Sequence, residues 1–171
     1  MSDLLKTETG FYETGGVTYP EAYERVQFFK DVIENKGGHR IFYVKGEPIE
    51  REEDLHILYR MTWYASVSDV TREANDGRGP VDFKVSSGKR DKVLVEFKLA
   101  SNTQLKRHLQ KQTRIYEKAS DADRTIKVIV YFTQAEHERV EKTLKEMNLH
   151  GNRDVVLVDA RKDNKPSGSK A

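Results

Sequence analysis

The chain predicts an α/β domain with a central mixed β-sheet flanked by α-helices. Three observations carry that expectation. Helix-period and strand-like segments alternate along the 171 residues. Two successive strands joined by a short turn each alternate apolar with polar side chains, and a later strand, 126–132, is apolar enough to be buried.

The elements follow in order. Residues 1–18 are Gly- and Thr-rich and aperiodic, which predicts an extended leader. Tyr19-Pro20-Glu21 starts a helix, because proline fits the first turn. Tyr23, Val26, Phe29 and Val32/Ile33 then recur at helical spacing up to Gly37-Gly38. Ile41 to Val44 is a short strand closed by Gly46 and Pro48. A second helix over 51–65 places Leu55, Leu58, Met61 and Tyr64/Ala65 on one stripe. Ser66 to Asp69 offers fresh caps, so this helix breaks and restarts before Glu73.

Val81, Phe83 and Val85 alternate with Asp82, Lys84 and Ser86. After the turn Ser86 to Asp91, Val93, Val95, Phe97 and Leu99 alternate with Leu94, Glu96 and Lys98. Residues two apart share a strand face, so each strand has one apolar face and one face bearing polar groups. Ala100-Ser101-Asn102 caps a helix over 103–119; a strand at 126–132, a helix at 134–148 and a strand at 154–159 complete the domain. Asn164 to Ala171 reads as a flexible tail. The expected organisation is therefore a leader 1–18, one domain 19–162 and a tail 163–171.

Hydrophobic residues make up 36% and charged residues 34% of the chain, so the core is modest and the surface highly charged. There is no cysteine, which excludes a disulfide scaffold, thiolate zinc and a Cys nucleophile. No apolar run approaches the roughly 20 residues that span a bilayer, and Met1 to Gly16 is too polar for a signal peptide. The expectation is a cytoplasmic protein. Net charge is only +2, but between Lys84 and Lys118 ten basic residues face three acids, Asp91, Glu96 and Glu117. Such a concentration suits a polyanion such as nucleic acid, or is an ordinary solvated helix face and hairpin loop.

Glu96 and Lys98 interrupt the polar face of a strand otherwise built of Val, Leu and Phe. Charged groups on an inner strand are costly unless they pair or bind an ion. They are either the start of a site or a plain pair on an exposed hairpin. If the two strands pair through their turn, Asp82 comes across from Glu96 to Lys98. Two carboxylates this close repel unless a proton or a metal resolves the conflict; otherwise Asp82 is a turn cap. On helix 103–119, Leu105, Leu109, Gln112, Ile115/Tyr116 and Ala119 share a stripe, so Gln112 is a polar group on the packed side that needs a partner. Glu73, expected at a helix end, either adds a third acid or pairs with Arg72. The five histidines show no paired metal spacing, and most are expected at the surface.

Taken together, Glu73, the Gly77-Arg78-Gly79 turn, Pro80-Val-Asp82, Glu96-Phe97-Lys98 and Gln112-Thr-Arg-Ile-Tyr116 resemble the PD-(D/E)xK nuclease superfamily, nearest its RecB-like and defence-associated branches. The resemblance spans residues 73 to 116. It implies a restriction-endonuclease-like fold whose core is a helix, three strands, a helix and a strand. One departure stands out: no strand is evident between Glu73 and Asp82, unless Ile41 to Val44 supplies it.

The resemblance further implies Mg²⁺ or Mn²⁺ as cofactor and phosphodiester hydrolysis as reaction, on DNA before RNA. Asp82 and Glu96 would ligate the metal, with the Phe97 carbonyl as a further oxygen. Lys98 would act on the attacking water and the transition-state charge, Gln112 and Tyr116 would position the strand or the metal shell, and Glu73 would complete it. Lys106, Arg107, Lys111 and Arg114 are the expected phosphate contacts. No sequence-reading module is evident, so specificity is expected to be low or supplied by a partner, a homodimer mate or a larger protein. The alternative is a catalytically silent nucleic-acid-binding or scaffolding version of the same fold.

Overall fold

The computed structural model describes residues 16–75, 80–88, 90–116 and 124–166; within these, side chains are described except at 73–75, 80–81 and 111–116. It is a mixed α/β domain. The elements are α1 (Thr18–Asn35), a 3-10 turn (Gly38–Phe42), β1 (Tyr43–Val44), β2 (Glu47–Pro48), α2 (Glu53–Met61), β3 (Asp69–Asn75), β4 (Pro80–Ser87), β5 (Asp91–Leu99), α3 (Leu105–Tyr116), β6 (Arg124–Tyr131), α4 (Gln134–Glu146) and β7 (Val155–Asp159). A five-stranded sheet runs in the order β3-β4-β5-β6-β7. Its first three strands form an antiparallel meander, and β5, β6 and β7 are parallel. The mixed sheet flanked by helices agrees with the expected class. Among the described residues no helix is long and apolar enough to cross a membrane.

Helix α1 buries Ala22, Val26, Phe29 and Ile33 at helical spacing against one sheet face. That face is made by the odd-numbered residues Phe83, Val85, Val93, Val95 and Phe97, with Val128 and Val130 from β6. Phe97 is central: its ring lies 5.3 Å from Phe29, 4.9 Å from Tyr59 and 5.9 Å from Phe83. Because strand side chains alternate, burying Phe97 on this face sends Glu96 and Lys98 to the other. A second core, Leu105, Leu109, Ile129, Tyr131, Val140 and Leu144, sits under α3 and α4. Leu105 and Leu109 thus face inward as expected; Gln112 and Tyr116 lie on α3, with side chains outside the described set.

Two expectations are corrected. Glu73 lies in a strand, not at a helix end: β3 pairs along Asp69 to Asn75 with β4 and supplies the strand missing from the sequence pattern. On α2, the buried residues are Leu55, His56 and Tyr59, followed by Thr62 and Trp63, whereas Met61 is 71% and Tyr64 81% exposed. The apolar stripe is therefore turned by about one residue, roughly 100°, from the one read off the sequence. At the far end, Asn164 and Lys165 contact Asp159; residues 167–171, which hold most of the expected tail, and most of the leader lie outside the described residues.

Helix α1 has no cap of its own at Val17, and the first N–H groups of a helix need an acceptor. Asp91, at the start of β5, provides it, accepting from Val17 N at 2.7 Å, Thr18 N at 3.3 Å and the Thr18 hydroxyl at 2.6 Å. A Cβ on Gly16 would collide with this carboxylate, so a larger residue there would push the Asp91 side chain out of its capping position. Asp91→Ala should lower the unfolding free energy by about 1–2 kcal/mol, the usual cost of a lost N-cap. Urea denaturation checks this; a midpoint equal to wild type would show that the cap contributes nothing.

Candidate active site

The site forms where β4 leaves β5. The last paired residues of this ladder are Phe83 and Val95. Beyond them, β5 continues beside β6 alone and its N–H groups on the β4 side lose their strand partner. Two carboxylates take them up. Asp82 Oδ2 accepts from Phe97 N at 2.6 Å, and Glu52 Oε1 accepts from Leu99 N at 3.3 Å. Asp82 comes from the diverging stretch of β4. Glu52 stands immediately before α2, which is pinned to the sheet by Leu55 and Tyr59.

Glu52 also binds the Lys98 ammonium at 3.2 Å and the Asn102 amide at 3.1 Å. Asn102 in turn accepts from Gln104 N at 2.9 Å and so caps the approach to α3. One turn along α2, His56 is 4% exposed and packs against Phe83 and Phe97 at 5.4 and 5.6 Å. Its Nε2 lies 3.4 Å from Asp82 Oδ2, and neither ring nitrogen makes a well-formed hydrogen bond among the described residues.

On the opposite side of β5, Glu96 is level with Lys127 of β6, and each is 7% exposed. Burial pushes the Glu96 carboxyl up from 4.5 to about 7; Lys98 and Lys127 oppose the rise, and the Asp82 charge adds to it. Lys127 is shifted the other way, held below the usual lysine range by burial against the pull of Glu96. For Asp82, burial raises the carboxyl, but His56, the Phe97 N–H and Lys98 outweigh it and leave it below 3.8. Neighbouring carboxylates pushed in opposite directions are a common signature of chemical sites, and structural ion pairs produce it too.

Asp82 accepts from the Phe97 amide beside Glu96 and Lys98, and the charges of Lys98 and Asp82 both act on Glu96, so the three lie on neighbouring stretches of the sheet. Glu73 has its backbone on β3, and Gln112 and Tyr116 have theirs on α3; their side chains are outside the described residues, as are those of Lys111 and Arg114. Lys106 is exposed and paired with Glu146 at 2.5 Å; Arg107 is exposed. The expectation of mostly surface histidines fails for His39 and His56, at 8% and 4% exposure. Glu52, His56 and Lys127 were not singled out by the sequence. Their signals were a glutamate just before α2, four residues ahead of a histidine on that helix, and a lone lysine within the apolar run of β6.

The cleft beside these groups encloses about 680 Å³ and is lined by Glu50, Arg51, Glu52, His56, Asp82 and Asn102, among others. Its charged lining is mostly acidic, with Glu50, Glu52, Glu53 and Asp82 against Arg51. Among the described residues no three His, Asp or Glu side chains are arranged to hold a metal by themselves.

The architecture defines an α/β protein with a carboxylate-bearing cleft at a splayed strand pair. The chain belongs to the family described as "Domain of unknown function (DUF8371)", whose model matches residues 18–134, from α1 to the start of α4. No curated protein and no solved structure matches the chain.

The raised Glu96 carboxyl makes a signed prediction. Its folded value lies above its unfolded one, so the folded state holds the proton more tightly, and this contribution to stability is lost as pH rises from about 4.5 to about 7. Glu96→Gln removes that slope and should be more stable than wild type at pH 8, by up to about 3 kcal/mol. Asp82 acts oppositely: its lowered carboxyl stabilises the fold above its unfolded value and stops doing so as pH falls through the folded one. Metal-free denaturation of both proteins between pH 4 and pH 8 is the check; parallel curves would contradict the assignment.

Proposed function

We propose that this protein is a divalent-metal-dependent phosphodiesterase that cuts nucleic acid, with DNA ahead of RNA, on a restriction-endonuclease-like scaffold. The observation that carries the reading is the joining of Asp82, Glu96 and Lys98 at the point where β4 and β5 separate. The chain order α2, β3, β4, β5, α3, β6 supports it, being the helix, three strands, helix and strand that the resemblance implies.

The donor set fits Mg²⁺ or Mn²⁺, which take hard oxygen ligands and commonly use only one or two protein carboxylates, completing the shell with water and phosphate. Asp82, Glu96 and the Phe97 carbonyl would hold it, with Glu52 and His56 at hand. When bound, the ion supplies positive charge to the phosphate and acidifies water. An acidic cleft repels a polyanion, so cation binding and substrate entry are coupled by charge alone.

The chain's own groups divide the remaining work. Lys98, fixed by Glu52 at 3.2 Å, presents its ammonium to the developing charge on the phosphate and to the attacking water. Asn102 keeps the Glu52 carboxylate aligned, and His56 buttresses Asp82. Arg107 and Lys106 on α3 are candidates for backbone phosphates, Lys106 on release from Glu146.

The purified chain should cleave plasmid, linear or single-stranded substrate with Mn²⁺ and not with EDTA. Lys98→Ala should bind Mn²⁺ like wild type but turn over about 10²–10³-fold more slowly, the usual cost of losing one charge-stabilising donor. Gel-based cleavage and Mn²⁺ titration calorimetry test both. A wild type that cuts no DNA or RNA and whose melting ignores Mn²⁺ would favour a silent scaffold instead. A Lys98→Ala protein of wild-type rate would reduce the lysine to a structural partner of Glu52.

A further inference from the structure

The parallel strands β5, β6 and β7 all begin at the same end of the sheet, and each begins beside an arginine: Arg90 precedes β5, Arg124 opens β6 and Arg153 lies two residues before β7. All three are exposed. Adjacent strands lie about 4.8 Å apart and the register sets Arg124 level with Val93, three residues along β5 from Arg90, so the row runs obliquely over roughly 15 Å. Tyr19 and Tyr23 from the first turns of α1 meet it, with ring centroids 5.9 Å apart. The Arg124 guanidinium sits 3.4 Å over the Tyr19 ring, and that of Arg153 sits 4.5 Å over Tyr23 and 5.7 Å from Tyr19.

The acids nearest this row are already committed. Asp91 is consumed in capping α1. Asp154 accepts from the Tyr19 hydroxyl at 2.5 Å and from Arg124 at 3.0 Å. Among the described residues Arg90 and Arg153 are left without a carboxylate partner. A guanidinium packed on an aromatic ring loses little freedom on binding, which suits Arg153 to a phosphate, while Arg124 shares its N–H edge with Asp154. We propose that this end of the sheet, with Arg124 and Arg153 over Tyr19 and Tyr23 and Arg90 at the start of the neighbouring strand, is a second contact surface for the sugar-phosphate backbone of nucleic acid, distinct from the cleft. It rests on the phosphodiesterase reading for the polymer it names.

Distance makes the surface more than an extension of the cleft. From Asp91 to Phe97 is six residues of β5, roughly 20 Å of strand. A duplex reaching from one to the other spans about six base pairs at 3.4 Å each. The surface would therefore grip substrate away from the scissile bond, contributing affinity without reading bases.

The test uses the full chain in EDTA, where the acidic cleft is not neutralised and contributes least, and a fluorescent duplex of about 24 base pairs, titrated by anisotropy at several salt concentrations. Arg90→Gln with Arg153→Gln spares the Arg124–Asp154 pair, and its melting temperature is compared with wild type. The expected result is at least a fivefold weaker complex whose log–log salt slope is smaller in magnitude by about 1.8, the value for two phosphate contacts. Arg153→Lys with Arg90→Lys keeps the charges and should restore most of that slope. An unchanged dissociation constant and slope in the Gln variant would overturn the proposal, as would a wild type that binds neither duplex nor single strand at low salt. Cleavage is scored separately with Mn²⁺: a wild type that binds but never cuts counts against the nuclease reading alone, and unchanged binding in the variant counts against this surface alone.

Discussion

The arrangement depends on one constraint: where β4 departs from β5, the N–H groups of Phe97 and Leu99 must find acceptors other than a strand. A buried amide left unpaired costs about 1–3 kcal/mol, so something must supply oxygens at the opened edge. Asp82 and Glu52 do so, from two different elements. The satisfaction of the backbone thereby draws two carboxylates to the same few residues that carry Glu96 and Lys98. A splayed strand pair, normally a weakness, becomes a means of concentrating negative charge.

That concentration is held by packing. Phe97 fixes the phase of β5 through its contacts with Phe29, Tyr59 and Phe83, so Glu96 and Lys98 cannot turn to the other face without emptying the core. Tyr59 anchors α2 in the same cluster, and α2 positions both Glu52 and His56. The helix that completes the core therefore also delivers two groups to the cleft. A cavity left by shortening Phe97 or Tyr59 would act on stability and on the site at once, because the same rings set both.

The fold class and the Asp82–Glu96–Lys98 set were legible because period-two alternation in β4 and β5 is strong, and polar groups on an otherwise apolar pattern are conspicuous. What failed did so for physical reasons. β3 is an edge strand whose described side chains Asp69, Thr71 and Arg72 are exposed and whose Val70 is only half buried, so it shows no alternation to read. Without that alternation, the sequence around Glu73 reads as a helix end. On α2, Met61 and Ile57 sit outside while His56 and Thr62 sit inside, and a stripe drawn through the aliphatic residues is turned away from the true one. That rotation hid Glu52 and His56. Lys127 is inconspicuous in the sequence because one lysine in an apolar strand gains meaning only from its register with Glu96.

The central claim is that the opened edge of β5 is a cation site. It is tested most directly by crystallising the protein with Mn²⁺ and locating the ion by its anomalous scattering. The account predicts a peak about 2.1 Å from carboxylate oxygens of Asp82 and Glu96, with the Phe97 carbonyl or Glu52 completing the protein ligands. A map with no peak there at saturating Mn²⁺, or with the ion held only elsewhere on the surface, would contradict it.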